Sequence, residues 1–126
     1  MSNILSINGT YDTPEILFDP NKGIFKISGR SLPSNSYDFY KHLIDTLHKY
    51  FENPQPESEF EFKMDFISSS TTKIFQDLMV EIDEVYKKGF SVNVKWYYKF
   101  ADDDMKELGD ELRYDLSFPF EFVMYS

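Results

Sequence analysis

Two hydrophobic periods alternate along this chain. Phe60, Phe62, Met64 and Phe66 alternate with Glu61, Lys63 and Asp65, the two-residue period of a strand with one buried and one wet face. Beyond them the apolar residues fall at Ile74, Phe75, Leu78, Met79, Ile82, Val85 and Tyr86, with Asp77, Glu81 and Glu84 turned outward. That three-and-four spacing predicts an amphipathic helix over 74–88, ended by Gly89. Upstream, 15–18 and 23–28 read as short strands. Asp19-Pro20-Asn21-Lys22-Gly23 joins them with turn chemistry at nearly every position, which predicts a hairpin. The loop 29–36 then leads to a helix capped by Asn35 or Ser36, with Tyr40, Leu43, Ile44, Leu47 and Phe51 as its inner stripe. Pro54 and Pro56 mark its end. Downstream, 90–98 alternates again, with Val92, Val94, Trp96 and Tyr98 on one side and Asn93, Lys95 and Tyr97 on the other. Asp102, Asp103 and Asp104 open a third helix whose inner face is Met105, Leu108, Leu112 and Leu116, and acidic residues there complement the helix dipole. Residues 118–124, with Pro119 near the start, read as a last short strand or an extended tail.

The predicted order is ββαβαβαβ. A doubly wound sheet buries both faces of its central strands and shows unbroken apolar runs, whereas every strand here alternates. The expected fold is therefore a two-layer α/β domain with a mixed sheet. Helices cover one face, and Glu59, Glu61, Lys63, Asp65, Asn93 and Lys95 keep the other wet. Right-handed crossovers make the strands flanking the 74–88 helix parallel. Residues 13–126 form a single domain, preceded by an arm or edge segment over 1–12.

Composition narrows the function. The 126 residues include 13 Phe and 9 Tyr, enough large rings to build most of a core. With 22 acidic against 13 basic residues the net charge is −9, which argues against holding nucleic acid or anionic lipid by electrostatics. The absence of cysteine removes disulfides, thiol catalysis and thiolate metal sites. His42 and His48, six apart, fall on different sides of their helix and do not make a metal pair. No apolar run spans a membrane and the start lacks a secretory signal, so the chain reads as cytoplasmic.

The chain carries no catalytic constellation. There is no glycine-rich phosphate loop, no nucleophile elbow and no histidine beside a hydroxyl cluster, so an enzyme, a metal and a cofactor are not expected. Trp96 and Tyr98 fall on the core side, leaving only Tyr97 outward to stack a ligand ring. What stands out is five consecutive hydroxyls, Ser68, Ser69, Ser70, Thr71 and Thr72, followed by Lys73. One of them is expected to cap the helix. One cap does not need five hydroxyls, and the same helix start is a place where an added phosphate is stabilised. An alternative is a small-ligand or nucleotide-binding domain whose hydroxyl turn cradles an anion.

The assembled motifs resemble the SiaC family of bacterial regulatory phosphoproteins, whose fold is similar to the anti-sigma-factor antagonists and the STAS domain. The resemblance covers about 13–122. It rests on Thr13-Pro14-Glu15-Ile16 with Phe18-Asp19 and Gly23, and on Ser28-Gly29-Arg30-Ser31-Leu32-Pro33-Ser34-Asn35-Ser36 followed by Phe39-Tyr40. The hydroxyl cluster closed by Lys73 joins Val94-Lys95-Trp96-Tyr97-Tyr98 and the run from Asp104 to Glu111 ending at Pro119-Phe120-Glu121. In that family the turn reads asparagine-threonine-serine-serine, an apolar residue and lysine, with the threonine as phosphoacceptor. Setting Lys73 on that lysine implies Ser69 as acceptor, with Ser70 its competitor. Ser68, Thr71, Thr72 and Lys73 then frame the turn and the docking surface. Ser68 stands in place of the asparagine, Ser69 of the threonine, and Ser34 of a glutamate common in the family. The resemblance further implies a switch run by a kinase similar to the ATPase fold of histidine kinases and by a metal-dependent Ser/Thr phosphatase. The partner it controls would be a diguanylate cyclase, in cyclic di-GMP signalling. A monomer is expected, as for isolated proteins of this fold.

Overall fold

The computed structural model describes residues 3–126. Six strands form one sheet: β1 (Leu5–Ile7), β2 (Glu15–Asp19), β3 (Ile24–Ser31), β4 (Glu57–Ile67), β5 (Ser91–Lys99) and β6 (Phe120–Tyr125). Three helices intervene: α1 (Ser36–Glu52), α2 (Ser69–Lys87) and α3 (Asp103–Arg113). Spatial order equals chain order. β1, β2 and β3 pair antiparallel, and β3 to β6 pair parallel. Because the order never reverses, right-handed crossovers carry every helix to the same face. The two-layer mixed architecture expected from alternation is therefore present.

The buried face is a continuous band of rings. Phe18 stands opposite Phe25, Phe25 opposite Phe60, Phe62 opposite Trp96 and Trp96 opposite Phe122. Phe62 lies at the centre, with ring centroids 5.2 Å from Phe75 of α2 and 5.7 Å from Trp96. Edge-on and offset contacts of this kind add to the area buried by each ring. On the open face Lys26 pairs with Glu61 at 3.8 Å, Lys95 with Glu59 at 3.1 Å and Lys99 with Asp65 at 3.2 Å.

Four expectations change. The strand count is six rather than five, because Leu5–Ile7, inside the segment read as an arm or edge, pairs with β2 and makes the order βββαβαβαβ. Met1 and Ser2 of that segment lie outside the described residues. β3 runs through Gly29, read as loop, to Ser31. Gly29 holds φ +104°, a left-handed value that glycine tolerates without a Cβ penalty. A bulge follows, and the β4 partner jumps from Met64 to Phe66. Phe66 is consequently on the open face and 45% exposed, not in the core. Finally, α2 begins at Ser69 rather than near Ile74, so four of the five hydroxyls lie inside the helix.

The loops close with ordinary caps. Asn35 caps α1 by accepting from the Asp38 N–H at 3.1 Å, and Asp102 caps α3 by accepting from the Met105 N–H at 3.1 Å. Asp103 and Asp104 occupy the first turn of α3, where they complement the dipole. Among the described residues no helix is long and apolar enough to cross a membrane.

Candidate functional site

The carboxyl ends of β3 and β4 and the amino ends of α1 and α2 meet at the hydroxyl cluster. Ser68, extended at φ −71° and ψ 163°, caps α2 by accepting from the Thr71 N–H at 3.2 Å, and its own N–H donates to the Ser31 carbonyl at 3.0 Å. Each remaining hydroxyl has a distinct place. Thr71 is fully buried and bonds Ser31 Oγ at 2.8 Å, and Ser68 Oγ donates to Thr71 Oγ1 at 2.9 Å. Thr72 donates back to the Ser68 carbonyl at 3.0 Å. Ser70 meets Ser36 of α1 at 2.6 Å and Ser68 at 3.2 Å, tying the two helix starts together. Ser69 is exposed, and its hydroxyl has no partner among the described residues.

Sequence spacing did not reveal the inner end of this network. Ser31 Oγ also meets the Tyr40 hydroxyl at 2.6 Å, so a chain of six hydroxyls runs from Ser36 through Ser70, Ser68, Thr71 and Ser31 to Tyr40. Burial raises the Tyr40 phenol to about 12 against the smaller opposing effect of its bonds to Ser31 and Thr71. It therefore stays protonated. The signal was present as Ser31 and Tyr40 at apolar-side positions. Detecting it required knowing that β3 continues past Gly29.

The electrostatics of α2 differ from those of its neighbours. The first turns of α1 and α3 carry Asp38 and Asp103 with Asp104, whereas that of α2 carries no acidic residue. Lys73 does not fold back on the hydroxyls; its Nζ pairs with Asp77 at 2.9 Å along the helix. The positive end of α2 therefore faces solvent uncompensated, with the Ser69 hydroxyl on it.

A groove of about 430 Å³ lies between α1 and α2, lined by Tyr37, Leu43, Ile44, Ile74 and Leu78 and by Asp45, Asp77 and Glu81. His48 of α1 and Glu81 of α2 meet at 2.6 Å. Trp96 is wholly buried, donating its Nε1–H to the Met105 carbonyl at 2.9 Å, which makes it core rather than ligand surface. Among the described residues no group of three or more His, Asp or Glu is placed to hold a metal ion.

Fold and site together define a small two-layer α/β domain whose concentrated feature is a hydroxyl-lined helix start. The chain belongs to the SiaC family: residues 7–125 match the family model described as SiaC family regulatory phosphoprotein. It is similar to SiaC of Pseudomonas aeruginosa, with a TM-score of 0.90 and 29% identity over 98% of this chain and 100% of that one. It is likewise similar to a chain of the crystal structure of the diguanylate cyclase SiaD in complex with its activator SiaC from that organism. There the TM-score is 0.91 and the identity 30%, covering 96% of this chain and 99% of the other. An uncharacterized protein of P. aeruginosa strain UCBPP-PA14 is 31% identical over 116 residues, 92% of each chain.

Proposed function

We propose that this protein is a non-enzymatic signalling switch, phosphorylated on Ser69, that binds and regulates a protein partner through the surface around its acceptor turn. One observation carries the choice of residue: Ser69 and Ser70 are both exposed, but of the five clustered hydroxyls that of Ser69 alone is unbonded among the described residues. Ser70, the competitor, is held by a 2.6 Å bond to Ser36 and a 3.2 Å bond to Ser68. A phosphate on Ser69 adds about −1.5 to −2 charges at a helix start that carries no carboxylate of its own. A partner that covers this turn has to bury that charge or supply cations for it, so the docking preference changes without refolding. The structural neighbour is the activator of a diguanylate cyclase, and a cyclase is the partner class we assign here. A kinase with a histidine-kinase-like ATPase fold and a metal-dependent Ser/Thr phosphatase would set the two states.

The test is intact-mass measurement after incubation with such a kinase and ATP. One added phosphate on the wild type and on Ser70→Ala, and none on Ser69→Ala, is expected. Equal incorporation into Ser69→Ala would sink the assignment. Binding of the partner cyclase should then differ between the phosphorylated and unmodified proteins.

A further inference from the structure

Three lysines on the open face of the sheet are matched by carboxylates. Arg30 is not. Among the described residues it has no carboxylate within ion-pair distance, and its Nε is buried without a hydrogen-bond partner. In a chain with 22 acidic residues an arginine left this way asks for a reason.

The surroundings of Arg30 are built rather than incidental. The bulge after Gly29 turns Phe66 onto the open face, and the guanidinium carbon stands 5.6 Å over its ring. On the preceding loop, Tyr11 brings a second ring to 5.2 Å. That loop is pinned to the end of β3 by the Leu32 N–H donating to the Asp12 carbonyl at 2.7 Å. Two rings thus hold the cation by its charge and polarisable surface, and neither accepts from Nε. The terminal Nη groups of Arg30, equally without a hydrogen-bond partner among the described residues, are not buried, so the outer edge of the guanidinium offers its in-plane N–H donors to a ligand with paired oxygens, a geometry in which arginine binds oxyanions in a fork.

We propose that Arg30, held over Tyr11 and Phe66, is a binding site for a phosphoryl group. Arg30 stands at the end of the sheet where the adjacent Ser31 carbonyl bonds the Ser68 N–H at the start of the acceptor turn, and that nearness is the ground for naming phosphate rather than carboxylate. The phosphoryl group can be carried by Ser69 of the same chain or by a separate molecule. The choice of phosphate and the first source both rest on the phosphorylation reading; the oxyanion site itself rests on Arg30 and its two rings.

The chain has two arginines, Arg30 and Arg113, so the Arg Nε–Hε region of a nitrogen-15 correlation spectrum holds one probe and one internal control. Arg30→Lys identifies the Arg30 signal by its loss, and Arg113→Lys identifies it by elimination if the first variant does not fold. Titration of the unmodified protein with inorganic phosphate at constant ionic strength is expected to move the Arg30 signal along a saturating curve, leave Arg113 in place, and lose the effect in Phe66→Leu. Parallel, non-saturating drift of both signals overturns the site. An equal response to acetate overturns the phosphoryl assignment. In protein carrying one phosphate on Ser69 by mass, an Arg30 signal already displaced identifies the chain's own phosphate as ligand. An undisplaced signal that still saturates with free phosphate identifies a separate molecule. If Ser69 accepts no phosphate, the phosphorylation reading falls and the titration alone still decides this one.

Discussion

Tyr40 is the residue on which the hydroxyl chain ends, and its burial makes it a reporter of that chain. At neutral pH, Tyr40→Phe removes one of two side-chain partners of Ser31 but leaves Thr71 in place, so a cost of about 1 kcal/mol is expected. The pH dependence is more diagnostic. Below pH 10 the phenol is neutral in both the folded and the unfolded chain and contributes no slope. Above it the unfolded chain ionises, while the folded phenol, raised to about 12, does not. Stability attributable to Tyr40 is therefore lost between pH 10 and 12, by about 3 kcal/mol in total. Urea unfolding of wild type and Tyr40→Phe at pH 8, 10 and 11 should show the wild-type advantage shrinking and then reversing. Curves that stay parallel would mean the phenol is not held neutral. The same logic with opposite sign applies to Asp83, 5% exposed. Burial pushes its carboxyl up, but the Ser117 N–H at 2.8 Å and Lys87 at 3.1 Å outweigh it and hold the group below the usual range. Its contribution is present above about pH 4 and lost on acidification, so Asp83→Asn should be less stable than wild type at pH 7 and close the gap as the pH falls below 4.

At the scale of the elements, α3 meets the sheet through a glycine. A Cβ on Gly109 would stand 2.6 Å from Trp96 Cδ1 and 2.6 Å from Phe122 Cε1, so this helix packs on the sheet by its backbone. Gly109→Ala gains about 1 kcal/mol of helix propensity but forces α3 outward from two rings. Overpacking of that kind costs about 1–3 kcal/mol, and it stretches the bond from Trp96 Nε1 to the Met105 carbonyl. A net loss of up to about 2 kcal/mol in denaturant unfolding, with a changed Trp96 emission, is the expected result; a stabilised variant would show that α3 is not seated on the rings. This contact was invisible in the helix's apolar stripe, because Gly109 has no side chain to enter the pattern. The same limit explains the other departures. The stripes of α1 and α2 and the alternation of β4 and β5 were legible because each repeats several times. β1 has three residues, too few to establish a period. Phe66 kept its sequence alternation while the bulge shifted its face, and the first turn of α2 consists of hydroxyls, which carry no hydrophobic period. The candidate site was legible as a cluster of residue types. The separate place of Ser69 was not, since it depends on Ser36, 33 positions away, taking Ser70.

For the whole molecule, the question is whether adding a phosphate to a chain of net charge −9 destabilises it. Two effects oppose each other. Repulsion from carboxylates farther away than the Debye length, about 8 Å at physiological ionic strength, is screened. The nearest acidic side chain on the same helix, Asp77, is already neutralised by Lys73. Locally, the first turn of α2 offers free N–H groups and an uncompensated dipole, an interaction of about 0.3–1 kcal/mol with a negative charge. The local effect wins. The phosphorylated protein should melt at the same temperature as the unmodified one or about 1–5 °C higher, and high salt should narrow the difference, since the attraction is at the surface. Its far-ultraviolet circular dichroism should be unchanged. Scanning calorimetry on the two forms, at low and at physiological salt, measures this directly. A phosphorylated form that melts many degrees lower would mean that the phosphate breaks the Ser68 cap and the Ser36–Ser70 tie, and the switch would then work by loosening the helix start rather than by recharging an intact surface.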